Sequence, residues 1–506
     1  MAAKTVTEHP AGPLTLGPLV QFSLLAGPFL SMVDSSVVNV AVPAMARSFG
    51  ASLIQLQWVV SGYLLALATG LAASAYLARR WGTRQVYVAS LAGFTLASVA
   101  CALAGSASWL VAARVIQGLL GAPMTPLAMG MMFAGDDTRR RISPAAGIAL
   151  FLPPALGPAL GGLLVTHIGW PSIFLINLPV GAAAITGLLR LPPGLAPGPA
   201  AVARFDPAGL VLISGGLALS SYGAVNGPAQ GWLSPGSWPF WLAGLALLAG
   251  YAAWARRRPH PAVGLGLLSS RGPALAVGLS VLAAVVLFAA LFLIPAYVQG
   301  VQGMSATEAG LVLLPQGLVM AAGTILGDVL SRRQQVRGAA IGGTAILALT
   351  TSALLLIQAT TPAWMTSLLL CGRGLALGLI IQPLLTATLS ELPAAELADA
   401  NTLFNVVDRV GGSFGVGLIA TFFQASVLAH IRAIRIPVGV RVTTHGSLTA
   451  VARLAGPART RLQDAATAGF HDAIWVLVAI AGLAFLLSLL FPAAAGQPCS
   501  APASTS

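Results

Sequence analysis

Pro273-Ala-Leu-Ala-Val-Gly-Leu-Ser-Val-Leu-Ala-Ala-Val-Val-Leu-Phe-Ala-Ala-Leu-Phe-Leu-Ile-Pro-Ala-Tyr297 contains no Asp, Glu, Lys or Arg. A helix of about 20 residues crosses about 30 Å of hydrocarbon, so this stretch is long enough to span a membrane. Its apolar character is continuous, whereas a strand of a membrane barrel alternates apolar and polar residues. In lipid only helices and closed barrels satisfy all their backbone polar groups, so the stretch reads as a helix.

Similar runs recur along the chain. They fall near residues 18–44, 56–77, 86–105, 109–133, 144–167, 172–190, 208–226 and 237–255, then 273–297, 307–330, 338–358, 364–389, 402–424 and 470–491. Numbered in chain order, these fourteen runs are spans 1 to 14, and they predict an all-α membrane protein. Composition agrees: 57% of the 506 residues are hydrophobic and 8% are charged, against about 25% charged in a soluble domain. The first run is long and no small-residue cleavage site follows it, which predicts that it is kept as a span rather than removed as a leader.

The net charge is +13, and all but Lys4 of the 26 basic residues are Arg. In a soluble chain that balance would point to nucleic acid. Here the arginines punctuate short loops on one side: Arg79, Arg80 and Arg84; Arg139, Arg140 and Arg141; Arg204; Arg256, Arg257 and Arg258; Arg332, Arg333 and Arg337. The excess of Arg in cytoplasmic loops therefore places both termini in the cytoplasm of a multi-pass protein of the plasma membrane. Arg47 and the long loop 425–469, with Arg432, Arg435, Arg441, Arg453, Arg459 and Arg461, depart from that pattern. Long loops follow the bias weakly. Cys101, Cys371 and Cys499 have no metal-ligand spacing, and no metal site is expected.

Patterns repeat eight spans apart. Arg114-x-x-Gln117-Gly118 in span 4 is echoed by Arg373-Gly374 in span 12, and the basic turn Arg79–Arg84 by Ser331–Arg337. Gly157-Pro158-x-x-Gly161-Gly162 in span 5 is echoed by Gly411-Gly412-x-x-Gly415 in span 13. The expected organisation is a six-helix bundle over 1–191, a linker with two inserted spans over 192–271, a second six-helix bundle over 272–492, and a disordered tail over 493–506. Two such halves related by an axis normal to the membrane place a substrate site between them near the midplane.

These residues resemble the fourteen-span drug:proton antiporter branch of the major facilitator superfamily, over about residues 20 to 490. Met32-Val-Asp34-Ser-Ser-Val-Val-Asn39-Val-Ala-Val-Pro43 is similar to that branch's acidic first-helix motif. Arg114-Val-Ile-Gln117-Gly118-x-x-Gly121-Ala122 resembles its proton-coupling motif. Gly157 to Gly162, followed by Gly169-Trp170 and Ile173-Phe174-Leu175-Ile176-Asn177-x-Pro179, resembles its antiporter motif. The turn after span 2 departs from the family: Arg79 stands where an Asp usually belongs to a charge network latching the outward-facing state, while Gly82 and Arg84 are kept. Pro153 stands where a Gly is usual, and Pro171 where an Arg is common.

Ionisable groups inside a span cost about 2.5–3.5 kcal/mol on insertion scales and usually face the bundle interior or a wet cavity. Asp34, Arg114, Arg373, Asp408 and Arg409 are the clear cases. Burial disfavours the charged form of a carboxylate, so Asp34 could hold a proton in one conformation and release it in another; the alternative is a permanent ion pair with an Arg. Arg114 does not give up its proton and either modulates a nearby acid or anchors two helices. Gln117 and Gly118 share its helix face. Asp408 forms a polar stripe with Asn401 and Asn405, suited to a cationic substrate or a second proton, or else to a local ion pair. Adjacent Arg409 points about 100° away, so pairing with it is not automatic. Tyr297, Gln299 and Gln382 are candidate cavity-lining residues, with packing as the alternative. Gly157, Gly161, Gly411 and Gly415 have the small-x-x-x-small spacing of close helix contacts, and Pro158 predicts a bend.

The resemblance implies proton-coupled export of amphiphilic small molecules. No Gly-x-x-x-x-Gly-Lys-Ser/Thr phosphate loop occurs, so protons rather than a nucleotide are the expected energy source and no cofactor is expected. The expected partners are the bilayer, the substrate and protons, with no nucleic acid and one chain sufficient. An uptake symporter or lipid translocase shares the fold expectation. An integral membrane enzyme would require clustered catalytic polar residues, and His167, His260 and His471 are scattered.

Overall fold

The computed structural model describes residues 18–133, 153–190, 206–258, 261–333, 335–389, 397–433 and 457–492. The linker 192–203 and the tail 493–506 fall outside these, as do Arg139 to Arg141 and the middle of the loop before span 14. Among the described residues the regular structure is helical and no strand occurs.

Thirteen helices are long and apolar enough to cross a membrane. They match spans 1 to 4 and 6 to 14. Span 5, Pro153–His167, is shorter, and residues 134–152 before it lie outside the described set. Spans 1, 2 and 3 are Pro18–Phe49, Leu53–Trp81 and Thr83–Ala102. Spans 7 to 12 are Pro207–Gln230, Trp238–Ala255, Arg271–Gly300, Ala306–Arg332, Val336–Ala353 and Ala363–Leu389.

Two spans are stepped, and proline is the cause. Span 4 divides into Ala107–Gly121 and Met124–Phe133, with Pro123 at the step. Span 6 divides into Ser172–Leu175 and Asn177–Leu189. Pro179 has no N–H to offer the preceding turn, so the helix restarts at Asn177. Spans 13 and 14 run longer than their apolar cores, over Leu397–Ala433 and Pro457–Leu489. The expected loop 425–469 is therefore helical over 425–433 and 457–469. Those extensions carry polar residues at helix-compatible positions, which a search for continuous apolar runs passes over.

The repeat is visible in the turns. Spans 2 and 10 each begin with a glycine in the left-handed region, Gly50 (φ 60°) or Gly303 (φ 78°), followed two residues later by a capping box. Ser52 Oγ accepts from Gln55 N, and Gln55 Oε1 accepts from Ser52 N. Ser305 and Glu308 repeat the exchange. Each box satisfies orphan donors at a helix start.

The repeat is also visible in close approaches. A Cβ on Gly161 would lie 2.9 Å from the Val37 carbonyl, and one on Gly157 would collide with Ser36. A Cβ on Gly411 would lie 2.8 Å from the Val281 carbonyl, and one on Gly415 would lie 2.5 Å from that of Val285. Span 5 thus lies on span 1 as span 13 lies on span 9, with Val33 and Val37 corresponding to Val281 and Val285. Gly162 faces the backbone of Ala306 instead, which draws span 5 against span 10.

The largest apolar cluster is built mainly from spans 1 to 6, with Phe288 and Phe292 of span 9 and Val416 and Ala420 of span 13 joining it. Two further clusters are built mainly from spans 9 to 14. Spans 7 and 8 join a small cluster through Ile213 and Tyr251, packed with Val277 and Leu403. Spans 2 and 13, and spans 5 and 10, pack across between the two sets. Hydrogen bonds cross there as well. Gln299 Nε2 donates to the Val40 carbonyl at 2.9 Å, Ile54 N donates to Gln424 Oε1 at 3.3 Å, and Thr307 joins Thr166 Oγ1 and the Gly162 carbonyl. All of these lie toward the end of the bundle that carries Gly50, opposite the end that carries Arg79.

Candidate functional site

Span 1 carries Asp34 on its buried face, with Val33, Val37 and Val38 around it. Span 4 carries Arg114 and Gln117 on one face because they are three residues apart on a helix. The two helices bring Arg114 Nη1 to 2.5 Å from Asp34 Oδ2, with the carboxylate side chain 1% exposed and the guanidinium fully buried. In this conformation the carboxylate is closed to water.

A ring of amides and a hydroxyl completes the site. Gln117 Nε2 and Asn177 Nδ2 each point at Asp34 Oδ1 from 3.4 Å. The same two groups donate to Ser98 Oγ at 2.7 and 3.0 Å, tying spans 3, 4 and 6 together. Arg114 also donates from Nε to the Val59 carbonyl at 3.0 Å and from Nη1 to Gln117 Oε1 at 2.7 Å. Its guanidinium lies 3.8 Å from the centre of the Tyr63 ring and 5.6 Å from that of Phe174. Rings at these distances stabilise a cation by about 0.5–2 kcal/mol. Arg114 Nη2 and Asn177 Oδ1 are buried without a hydrogen-bond partner. The arrangement is a charge pair whose geometry is fixed from spans 1, 2, 3, 4 and 6.

Residue type alone assigns no role at this site to Asn177 or Ser98. For Asn177 a signal exists: a polar residue at a helix break two positions before Pro179. For Ser98 there is none, because a serine in an apolar helix usually bonds its own backbone, as Ser98 Oγ also does to Phe94.

The remaining candidates lie elsewhere. Asp408 is half-buried on span 13, with Oδ2 4.0 Å from Arg409 Nε. The neighbour set 100° away does reach it, at the outer limit of an ion pair. Asn405 Nδ2 donates to the Asn401 carbonyl at 2.8 Å, holding the polar stripe together. Gln382 is half-buried in span 12. Tyr297 is fully buried, stacked on Phe470 at 4.1 Å, with its hydroxyl 3.0 Å from Thr467 Oγ1. Gln299 spans the two helix sets through Val40. In this conformation both side chains are engaged by neighbouring helices.

The basic turn after span 2 works locally. Gly82 adopts φ 90°, and Arg84 Nη2 donates to the Leu189 carbonyl at 2.9 Å, capping the C-terminus of span 6. Gly118 lets span 4 approach span 2: a Cβ there would lie 2.6 Å from the Tyr63 carbonyl. Arg373, the counterpart of Arg114, is fully buried and donates from Nη2 to the Val286 carbonyl. Its Nε and Nη1 have no hydrogen-bond partner.

The family model described as Major Facilitator Superfamily matches residues 24–416. The chain is 32% identical to a tetracenomycin C resistance and export protein of Streptomyces glaucescens, over 80% of this chain and 76% of that one. It is 32% identical to a multidrug resistance protein B homolog of Mycobacterium tuberculosis, over 92% of this chain and 87% of that one. A bacterial homologue of the human lysosomal transporter Spinster, solved in an inward-facing and unoccupied conformation, superposes with a TM-score of 0.65 at 18% identity, covering 96% of this chain and all of that one. A D-xylose–proton symporter superposes with a TM-score of 0.63 at 15% identity, covering 95% and 99%. At those identities the superpositions speak for the fold alone.

Proposed function

Because the chain belongs to the major facilitator superfamily, we propose that it is a proton-coupled antiporter that exports amphiphilic small molecules by alternating access. It is a membrane transporter rather than an enzyme. Two relatives above 30% identity are named for resistance, one of them also for export, which favours export over uptake. The finer architecture is part of the proposal: fourteen spans, two six-helix bundles over 1–191 and 272–492, two inserted spans between them, and both termini cytoplasmic. On that assignment the Gly50 end faces outside. The hydrogen bonds between the halves at that end then describe a conformation closed to the outside.

The observation that carries the reading is the buried Asp34–Arg114 pair with its amide ring. A proton reaching Asp34 removes the carboxylate's charge and releases it from Arg114. Span 1 is then free to shift against span 4, and with it the contacts that Gly157, Pro158, Gly161 and Gly162 of span 5 make to spans 1 and 10. Arg114 stays charged and waits on Val59, Gln117 and Tyr63 for the carboxylate to return. Membrane potential supplies about 2.3 kcal/mol per charge per 100 mV, and a unit of pH gradient about 1.4 kcal/mol per proton. That is sufficient to drive export without a nucleotide or other cofactor. Asp408, Asn405 and Gln382, which keep part of their surface exposed, are the assigned substrate contacts.

The test is compound-driven proton flux in proteoliposomes, comparing wild type with Asp34→Asn over cationic, neutral and anionic compounds. Wild type should release protons inward as compound leaves, and Asp34→Asn should bind compound without moving protons. Equal flux from both removes Asp34 from coupling. Flux of proton and compound in the same direction would replace the exporter by a symporter of the same fold.

A further inference from the structure

A groove of about 530 Å³ opens beside the Arg-rich turn between spans 10 and 11, with Leu379 of span 12 on its far wall, apart from the Asp34 site. Its walls are apolar, from Leu326 and Leu330 of span 10 and Ile346 of span 11. Span 11 presents Gly338 and Gly342 to it. A Cβ on either glycine would meet nothing within 4 Å, so the space above them is open. Arg337 stands at the mouth, exposed and next to the first of those glycines. From Gly338 to Ile346 the groove follows span 11 for about 12 Å, at about 1.5 Å per residue. That is most of one leaflet's share of a hydrocarbon core about 30 Å thick.

The groove opens on the outer face of the bundle. Ile325 is 63% exposed and Leu349 71% exposed beside it, as suits a surface facing lipid. Among the described residues that line the groove, Arg337 carries the formal charge. Arg332 is paired with Asp328 at 2.8 Å, and among the described residues of this corner Arg333 and Arg337 are exposed and outside that pair. No acid is among the described residues that line the groove.

We propose that this groove binds one anionic phospholipid, with an acyl chain laid along Gly338–Ile346 and the phosphate on Arg337. The proposal rests on the membrane placement given above, with the Arg-rich end at the cytoplasmic boundary, and not on proton coupling. Gly338-x-x-x-Gly342 also has the spacing of close helix pairing, so a second copy of the chain is the competing occupant. A two-fold contact sets the same patch against itself. It would bring two like charges, Arg337 and Arg337 of the partner subunit, to one interface, whereas a phosphate meets the same guanidinium with opposite charge and forked geometry.

The experiment measures lipid retained by the purified full-length transporter in detergent, by native mass spectrometry, with phosphatidylglycerol and phosphatidylcholine supplied equally. Wild type should retain one phosphatidylglycerol in preference to phosphatidylcholine. Arg337→Gln should lower that preference about fivefold, from roughly 1 kcal/mol per basic residue at a membrane surface at 1.4 kcal/mol per tenfold. Gly342→Leu fills open space rather than clashing, so it should fold, keep Arg337 and yet lose the tightly held lipid. Free glycerol phosphate should not compete. Retention by Gly342→Leu equal to wild type, unchanged preference in Arg337→Gln, or competition by glycerol phosphate would each overturn the proposal. So would a dimer that Gly342→Leu abolishes while lipid retention stays constant. Binding is read in micelles, so failure here leaves the transport reading untouched, and failed proton flux leaves this site untouched.

Discussion

Replacing Asp34 by Asn removes one charge from a pair that has almost no contact with water. Taking away one partner of a buried ion pair typically costs about 3–5 kcal/mol, because the other charge stays buried. Arg114 is better supported than most: it keeps the Val59 carbonyl, the Gln117 amide oxygen and the Tyr63 ring. The cost of Asp34→Asn should therefore fall near the lower end, about 3 kcal/mol. Arg114→Gln leaves a carboxylate with only two amide contacts at 3.4 Å and should cost more, toward about 5 kcal/mol. The double variant removes both charges and should be less damaged than the sum of the singles, with a coupling energy of about 2–3 kcal/mol, in the upper range for contacting residues. The assay is denaturant or thermal unfolding of the four proteins in the same detergent, arranged as a double-mutant cycle. Singles that add to within about 0.5 kcal/mol would refute the pair as an energetic unit. The coupling mechanism built on its separation would fall with it.

Other consequences are separately measurable. Thr166→Cys with Thr307→Cys replaces a hydroxyl pair 2.9 Å apart; oxidation should cross-link spans 5 and 10 and stop export, and reduction should restore it. Adding Gly162→Val to that pair should lower the cross-linking yield, since the new side chain meets the Ala306 backbone, which has no room to give. Gly118→Leu should cost about 1–3 kcal/mol as an overpacking change, because its Cβ would press on the Tyr63 carbonyl, and unfolding measures it directly. Asn177→Ala leaves the Asp34–Arg114 contact in place but removes one amide from the ring; it should cost about 1 kcal/mol and weaken coupling less than Asp34→Asn in the flux assay.

The membrane class and thirteen of the expected spans were legible because apolar length is a local property, read from one run at a time. Asp34, Arg114 and Gln117 were legible because a charge in such a run is expensive, and because three residues along a helix return to the same face. Their meeting was not: Asp34 and Arg114 are eighty positions apart, and only the packing of span 1 on span 4 decides which Arg the acid faces. Asn177 shows the limit from another side. Its role depends on Pro179 stepping the helix and so aiming one amide inward, a consequence of backbone geometry that residue type alone leaves open. Tyr297 reads as a polar ring in an apolar helix, but its hydroxyl is matched by Thr467 on span 14, a partner found only once the helices are in place. The extended helices of spans 13 and 14 escaped because their ends are helical without being apolar.

Spans 9 and 13 repeat the packing of spans 1 and 5 without repeating its chemistry. Val33 and Val37 of span 1 meet span 5 as Val281 and Val285 of span 9 meet span 13, which sets Leu282 in the place of Asp34. Arg373 keeps the arginine of span 4 but has Ala376 three residues on, where span 4 has Gln117. It finds the Val286 carbonyl and leaves two nitrogens unmatched. A symmetric rocker with two proton sites would need an acid on span 9 and an amide on span 12 at these matching positions, where Leu282 and Ala376 stand instead. Among the described residues the fully buried acid–arginine pair is therefore confined to spans 1 and 4, at Asp34 and Arg114. The second half offers the half-exposed Asp408 and Asn405 on span 13. On the proposed mechanism, that asymmetry would assign proton binding to Asp34 and substrate contact to span 13, with the glycine contacts of spans 5 and 13 carrying the movement of each to its neighbour.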